Sequence, residues 1–292
     1  SRRGESGAAL VMLLNEFQPH LAHRMVTHNW GNCFKDLVAA VVADAIGHTK
    51  YSEVANQLDK RHGYHSLLEK LEHSQVLDLR YWICAFAVNQ HACICGGFGP
   101  EPPHSTDAFA AYDKSRRDTV TGKIYPLCTC KQPKIFNDQR DLCEINKFDH
   151  MMTFLNSALT GSFVQVIAVD RKFDVFKRVW CVAEVVESVH SSIMQRFIFF
   201  SEENLNLNYP QLANLKVEDC QASREEDKQL ILDRIIDKNE FNLYLQELLF
   251  SDDGLFAQWM DVEVRNKGVE KIVGRILRKN SIQNLRHSNL KL

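Results

Sequence analysis

The chain has 292 residues, of which 45% are hydrophobic and 25% are charged, and its formal net charge is −2. This composition is ordinary for a globular protein with a sizeable core, and it excludes the global basicity that draws a protein to nucleic acid, so we expect no specific nucleic-acid binding. The longest apolar runs stay well short of the roughly 18 residues that a transmembrane helix needs, so we expect none.

The cysteine content indicates a reducing environment. The nine cysteines are an odd number, and Cys33, Cys84 and Cys181 lie inside apolar segments. A disulfide framework in a secreted protein uses paired cysteines, whereas scattered apolar cysteines suit the cytoplasm or another reducing intracellular compartment. We therefore expect an intracellular protein.

Apolar periodicity predicts alternating helices and strands in the first part of the chain. The expected elements are a short helix within 1–21, a strand over 23–31, a helix over 34–45, two polar helical turns over 52–74 and a strand over 79–88. The helix over 34–45 has apolar residues at i, i+3, i+4 and i+7 and is followed by Gly47, a typical helix stop. The run over 79–88 is almost entirely apolar, which predicts a strand buried on both faces.

The same alternation resumes after a segment of different character. Residues 91–142 are rich in Gly, Pro and Cys and lack periodicity, which is typical of a long functional or metal-bound loop. Beyond it, the expected elements are a helix from residue 148, a strand over 162–170, a helix over 177–190, a strand over 196–201 and helices over 222–250. Strands alternating with amphipathic helices predict an α/β fold with a parallel sheet, here a domain over 1–205 and a helical extension over 206–292.

The carboxyl ends of the predicted strands indicate where a ligand would bind. Open parallel sheets bind ligands beyond these ends. The polar segments there are His28–Gly31, Asn89–His91 and Asp170–Phe173. We expect them to border a site.

Three segments resemble a known superfamily. They are VTHNWG after the first strand, YWICAFAVNQH on the second and RVWCVAEV after the third. Together they resemble the TIR-like fold, and most closely its heterokaryon-incompatibility and protist relatives, over residues 23–201. The resemblance implies a flavodoxin-like parallel sheet with flanking helices, to which this chain adds the cysteine-rich loop insertion and the C-terminal helical extension described above.

The resemblance also implies an activity. In enzymatic TIR domains the glutamate of the W-C-x-x-E helix is the catalytic residue for cleaving NAD at the nicotinamide–ribose bond, and Glu184 matches it. The resemblance therefore implies an NAD glycohydrolase or cyclase. His28, Asn29, Trp30, Asn89 and Trp180 then become the candidates for binding NAD, with the two tryptophans offering aromatic faces. The alternative is that Glu184 is an acid on the helix surface, favoured near the N-terminus by the helix dipole.

One departure from the family pattern weakens the catalytic interpretation. Where relatives carry an acid on the second strand, this chain has Cys84. Many TIR-like domains act only as assembly modules, and a fold does not by itself fix a function. Two alternatives to an enzyme therefore stay open. One is a non-catalytic signalling module that associates with itself or with other TIR-like domains, and the other is a subunit of a larger complex.

The cysteine-rich segment contains a candidate metal site. Two C-x-C pairs, Cys93 with Cys95 and Cys128 with Cys130, are separated by a long loop, and His91 and His104 lie nearby as alternate ligands. Four soft ligands can hold structural zinc, which would also order a loop with few apolar residues. Reduced packing cysteines and redox chemistry are the alternatives.

The remaining sequence features are three absent motifs and a basic helix near the C-terminus. The chain lacks G-x-x-x-x-G-K-[ST], G-x-G-x-x-G and G-x-S-x-G motifs, which argues against P-loop, dinucleotide-binding and α/β-hydrolase functions. Residues 265–292 contain eight Lys or Arg and one acid, with an apolar helical stripe. Such a basic helix can meet an acidic partner or a membrane surface, or can pack on the domain with a solvated basic face.

Overall fold

A computed structural model describes the chain in two compact units. The described residues are 7–118, 121–136, 139, 141–144, 147–222, 225–251 and 256. One unit comprises Ser1–Leu21 and Ile83–Phe148, and the other comprises Ala22–Trp82 and Asp149–Leu292. The cysteine-rich segment falls within the first unit, and the boundary near residue 205 stays a prediction.

Helices and strands alternate along the chain. In order they are α1 (Leu10–Leu14), β1 (Arg24–His28), α2 (Phe34–Ala45), α3 (Ser52–Leu58), α4 (Gly63–His73), β2 (Tyr81–Ile83), α5 (Cys84–Ala87), α6 (Asp107–Ser115), α7 (Phe148–Ala158), β3 (Val164–Ala168), α8 (Val179–His190), β4 (Met194–Ile198), α9 (Glu202–Leu212), α10 (Glu225–Asp233) and α11 (Lys238–Phe250).

The four strands form one parallel sheet. Their order is β2-β1-β3-β4, so β1 and β3 are the central strands. Thr27 on β1 is opposite Ile167 on β3, and Gln165 on β3 is opposite Gln195 on β4. Helices flank this sheet, which confirms the predicted α/β class with a flavodoxin-like parallel sheet.

The helix α2 begins and ends where its sequence predicts. It spans Phe34–Ala45, and Gly47 follows with a φ of 80°, a left-handed conformation that glycine adopts without strain. The Gly47 N–H donates to the Asp44 carbonyl and the His48 N–H to the Ala43 carbonyl. These two bonds form a Schellman motif, which satisfies carbonyls that the helix end would leave unpaired.

The second strand is shorter than predicted. Only Tyr81–Ile83 is extended, and the next four residues, Cys84–Ala87, form a helical turn. The strand also lies at the sheet edge with partly exposed side chains, so the prediction of a ten-residue strand buried on both faces is wrong. A short apolar run fits either structure by periodicity, and two alanines within CAFA favour the helix.

The α2 face of the sheet is held by a buried acid. The side chain of Asp44 on α2 is fully buried and is paired with Arg24 on β1 and with Arg196 on β4, the latter at 3.0 Å between Asp44 Oδ1 and Arg196 Nε. The Tyr81 hydroxyl on β2 donates to Asp44 Oδ2 at 2.8 Å, and burial raises the pKa of Tyr81. One carboxylate therefore links α2 to three strands.

The opposite face packs against α8 through the main core of the second unit. Strand side chains alternate between faces, so Thr27 and Gln165 lie on the side away from Arg24. The aromatic residues buried in this core are Phe173, Phe176, Phe197, Phe199, Phe250 and Phe256. They enclose the apolar stripe of α8, with Val179, Val182 and Val185 fully buried.

Two findings concern the C-terminal part of the chain. The helix α9 (Glu202–Leu212) was not predicted, because Pro210 and its many Asn residues conceal the pattern. The predicted basic helix of 265–292 lies outside the described residues. In the part of the chain that the structure covers, no helix has the length and apolar character to cross a membrane.

Candidate functional site

Glu184 lies where α8 meets the carboxyl end of β1. The hydroxyl of Thr27, the penultimate residue of β1, donates to Glu184 Oε2 at 2.6 Å. One turn earlier on α8, the Cys181 thiol donates to the His28 carbonyl at 3.4 Å. Since residues three apart share a helix face, this face of α8 packs on the end of β1 and directs the carboxyl there.

Glu184 is the last member of a chain of buried and partly buried hydrogen bonds that crosses the sheet. The Gln195 amide on β4 donates to the Gln165 Oε1 on β3 at 2.8 Å, and the Gln165 amide donates to Thr27 Oγ1 at 2.8 Å. Gln195 also donates to the Val185 carbonyl of α8 at 2.9 Å. Both Thr27 and Gln165 are fully buried. Four polar side chains thus satisfy one another in an otherwise apolar layer.

The environment of Glu184 favours its neutral form. Burial raises the pKa of Glu184 to about 7, and the hydrogen bond from Thr27 opposes this rise. The residue as a whole is only partly buried, and desolvation of its carboxyl group is the largest cause of the raised pKa. A carboxyl with a pKa near neutrality changes charge in the physiological range, which is a property of many catalytic acids and bases.

Glu184→Gln is expected to increase the free energy of unfolding at about pH 8 by on the order of 2 kcal/mol. The folded carboxyl titrates at about 7 and the ordinary value is 4.5, so between these values only the unfolded chain is ionised and stability falls as pH rises. Denaturant unfolding of both proteins at about pH 5 and about pH 8 measures the difference, which should widen at the higher pH. An equal difference at both pH values would contradict the raised pKa.

The structure separates the other predicted NAD-binding residues. Strand alternation places the side chain of His28 on the α2 face, where its Nδ1 lies 3.3 Å from the Val26 carbonyl and burial lowers its pKa. Asn29 accepts a hydrogen bond from the Gly31 N–H at 3.0 Å, and Trp30 is 44% exposed. Trp180 packs partly buried against the core, one turn before Glu184. His28 and Trp180 therefore lie on opposite faces of the sheet, and Asn29 and Trp30 follow the carboxyl end of β1.

Asn89 belongs to the first unit and has a local structural role. Its side chain accepts a hydrogen bond from the His91 N–H at 3.2 Å and donates to the Gly7 carbonyl at 3.1 Å. Its own N–H donates to Glu144 Oε2 at 2.9 Å. Asn89 therefore caps the short 3-10 helix Gln90–Ala92.

The end of β3 forms a closed turn. Asp170 is buried and accepts backbone N–H bonds from Lys172, Asp174 and Val175 at 2.8–3.1 Å, yet burial still raises its pKa. Arg171 makes a bidentate ion pair with Asp36 of α2. Both side chains are engaged within the protein, so this strand end serves to position the turn before α8.

A second site lies in the cysteine-rich unit. His91, Cys95, Cys128 and Cys130 bring their ligand atoms within 4.8 Å of one another. The Cys95 and Cys130 sulfurs are 3.3 Å apart, and His91 Nδ1 lies 3.6 Å from the Cys95 sulfur and 3.3 Å from the Cys128 sulfur. Four ligands about 2.0–2.3 Å from a tetrahedral metal lie roughly 3.3–3.8 Å apart. The cluster could therefore hold a metal ion.

The cluster differs from the sequence-predicted set at one position, where His91 replaces Cys93. The prediction assumed extended backbone, in which residues i and i+2 point the same way. Residues 90–96 instead form a 3-10 helix followed by a turn, and this coiled backbone brings His91 and Cys95, at i and i+4, together. Residues 128–130 lie in a segment without regular structure, and there both cysteines reach the cluster.

The two remaining candidates lie outside the cluster. The Cys93 thiol is buried, donates to the Asn89 carbonyl at 3.4 Å, and has its pKa raised to about 11 by burial. His104 is exposed and pairs with Glu101 at 3.0 Å. Cys93 is therefore a packed thiol, because metal ligation requires the thiolate.

The surroundings of the cluster favour a thiolate at Cys130, whereas burial raises the pKa of Cys95. The backbone N–H of Gln132 lowers the pKa of Cys130 to about 6, so this sulfur is ionised at neutral pH. Lys134 lies with Nζ 3.0 Å from the Cys95 sulfur and 3.9 Å from the Cys130 sulfur, and the Cys95 sulfur raises the Lys134 pKa. Three thiolates with a divalent metal carry one excess negative charge, which the ammonium group offsets.

Thr27, Gln165, Gln195 and Lys134 are the site residues that sequence reasoning missed. Gln165 did leave a signal, because it interrupts the apolar strand SFVQVIAVD. A glutamine in a strand buried on both faces needs hydrogen-bond partners for its amide, so it indicates a buried polar network.

Comparison with known proteins found no family model, no curated protein and no solved structure that matches this chain. What the chain does is therefore inferred from its own residues and from the resemblance in three segments.

Proposed function

We propose that this protein is a TIR-like domain that cleaves NAD at the nicotinamide–ribose bond, with Glu184 as the catalytic carboxylate. The observation that carries the proposal is the position of Glu184, partly buried at the carboxyl end of a central parallel strand and held there by Thr27. Ligands of open parallel sheets bind at this edge.

The chemistry requires little more than a placed negative charge. When the bond between ribose C1′ and the nicotinamide nitrogen breaks, its electron pair neutralises the pyridinium and leaves positive charge on the ribose. An ionised Glu184 beside the ribose hydroxyls stabilises this charge in a site with limited water. Water then adds to C1′ and loses a proton, which gives ADP-ribose and free nicotinamide.

Incubation with NAD tests the proposal, and free nicotinamide is the product to follow. Because the ionised carboxylate is the active form and its pKa is about 7, the rate should rise by roughly tenfold per pH unit between about pH 5 and about pH 6 and level off above neutrality. If concentrated protein releases no nicotinamide across this range, the catalytic proposal is wrong, and a non-catalytic signalling module or a subunit of a larger complex is left as the alternative.

We also propose that the cluster of His91, Cys95, Cys128 and Cys130 binds zinc in a structural role. Its three sulfurs and one imidazole are soft ligands, and such a set binds zinc in preference to calcium or magnesium. All four positions are filled by protein atoms, which is typical of a closed structural site with no open position for a substrate. The metal would hold together a segment of few apolar residues.

A further inference from the structure

The hydrogen bonds around Glu184 have a direction that the protein fixes. A backbone carbonyl only accepts, so the Gln195 group bonded to the Val185 carbonyl is the amide nitrogen. The same nitrogen donates to Gln165 Oε1, which turns the Gln165 nitrogen toward Thr27. The Thr27 oxygen therefore accepts from Gln165, and its single hydrogen is directed to Glu184 Oε2.

This chain begins and ends on adjacent residues of one helix. It starts at the Val185 carbonyl of α8, crosses β4, β3 and β1, and returns to Glu184 of α8. The strand register places Gln165 and Gln195 directly opposite each other, so the strands themselves set their separation. The carboxyl is thereby fixed relative to three strands of the sheet.

Only one carboxyl oxygen is used in this arrangement. Oε2 receives the Thr27 hydrogen bond, whereas Oε1 receives no hydrogen bond from any residue that the structure describes. A donor on Oε2 stabilises the ionised carboxylate and fixes its plane, and a ligand hydroxyl can then bond to Oε1.

We propose that Thr27 and Gln165 are positioning residues, which hold Glu184 as an oriented carboxylate with Oε1 presented to a ligand hydroxyl. This inference deepens the proposed function, on which its catalytic meaning rests. A purely structural role for the buried amides would require only that they satisfy each other. The directed chain adds a specific consequence: its hydrogen bond to Oε2 favours the ionised form of Glu184 and so opposes the effect of burial.

Thr27→Val tests the inference, because it keeps the side-chain shape and removes the donor. The readout is the titration midpoint of the Glu184 carboxyl, followed by carbon NMR on protein labelled at glutamate and assigned by comparison with Glu184→Gln. Loss of the donor should raise the midpoint by about 0.5–1 pH unit. Gln165→Met should raise it in the same direction, since the Thr27 hydrogen is then no longer directed.

Two control variants separate positioning from stability. Thr27→Ser keeps the hydroxyl and should restore the wild-type midpoint. Ser188→Ala is the control for the loss of a buried hydroxyl from α8, because this hydroxyl has no hydrogen-bond partner among the described residues. The titratable and charged side chains on α8 and on the elements packed against it include Cys181 and Glu187 on α8, His28 on β1, Arg196 on β4, and the acids and Lys228 of α10, and no variant alters them. None of these groups is among the causes of the raised Glu184 pKa. β3 and β4 contribute only the two glutamine amides to this network.

The outcomes distinguish this inference from the proposed function. A raised midpoint in Thr27→Val and Gln165→Met supports positioning, even if no variant releases nicotinamide from NAD and the enzymatic proposal fails. An unchanged midpoint in folded Thr27→Val overturns positioning, even if nicotinamide release continues. If Thr27→Val does not fold, the midpoint of Gln165→Met decides alone.

Discussion

Glu184→Gln is expected to lower the rate of nicotinamide release from NAD by at least about 100-fold at neutral pH. Glutamine keeps the size and the hydrogen bond acceptor for Thr27, which bonds to Glu184 at 2.6 Å, but it cannot carry the negative charge that opposes the ribosyl cation. The rate at saturating NAD should fall more than the Michaelis constant changes, because the charge acts mainly in the transition state.

Glu187→Gln is the matched control for this substitution. Glu187 lies one turn later on α8 and accepts a hydrogen bond from the Ser191 hydroxyl at 2.8 Å, away from the chain that reaches Thr27. The Glu187→Gln substitution also removes one negative charge from α8, but at a distance from Thr27, so nicotinamide release should stay within about twofold of the wild type. Equal loss in both variants would indicate a general effect of charge, and wild-type release by Glu184→Gln would eliminate Glu184 as the catalyst.

Cys95→Ser is expected to reduce bound zinc from about one equivalent to a small fraction and to weaken zinc affinity by at least about 100-fold, because even the loss of an outer-shell partner costs 10–100-fold. The Cys95 sulfur lies 3.3 Å from the Cys130 sulfur and 3.6 Å from His91 Nδ1, so its removal leaves three of the four candidate ligands. Metal analysis of the purified proteins measures the stoichiometry, and a competing chelator measures the affinity.

Cys93→Ser makes this test selective. Its sulfur is two residues away in sequence but lies outside the cluster, in a hydrogen bond to the Asn89 carbonyl that a serine hydroxyl can replace. We expect it to retain the wild-type zinc content. If Cys93→Ser loses the metal as Cys95→Ser does, Cys93 is a ligand as the sequence suggested, and if the wild type holds no zinc, the structural-zinc proposal is wrong.

Much of the fold follows from local patterns. The helix over 34–45 and its glycine stop appear as predicted, because an amphipathic stripe and a left-handed glycine act within one or two turns. The β3 strand, predicted over 162–170, is observed at Val164–Ala168. The prediction of the second strand was wrong because its pattern was ambiguous: a continuous apolar run shows neither the helical nor the strand period.

The candidate sites were less predictable because their geometry is not local. The choice between Cys93 and His91 depends on whether residues 90–96 are extended or coiled, which no spacing rule decides. Lys134 reaches the Cys95 sulfur across 39 positions of sequence, and Thr27 reaches Glu184 across 157 positions.

The sequence by itself determined the α/β alternation, the parallel sheet, the helix that carries Glu184 and the segment that contains the candidate metal ligands. Only the tertiary structure decided which of these residues meet. Strand register aligned Gln165 with Gln195, and the packing of α8 on β1 brought Glu184 to Thr27. The physical reason is that hydrophobic periodicity specifies which face of an element is buried, whereas hydrogen bonds between distant polar groups depend on angstrom-scale register and packing.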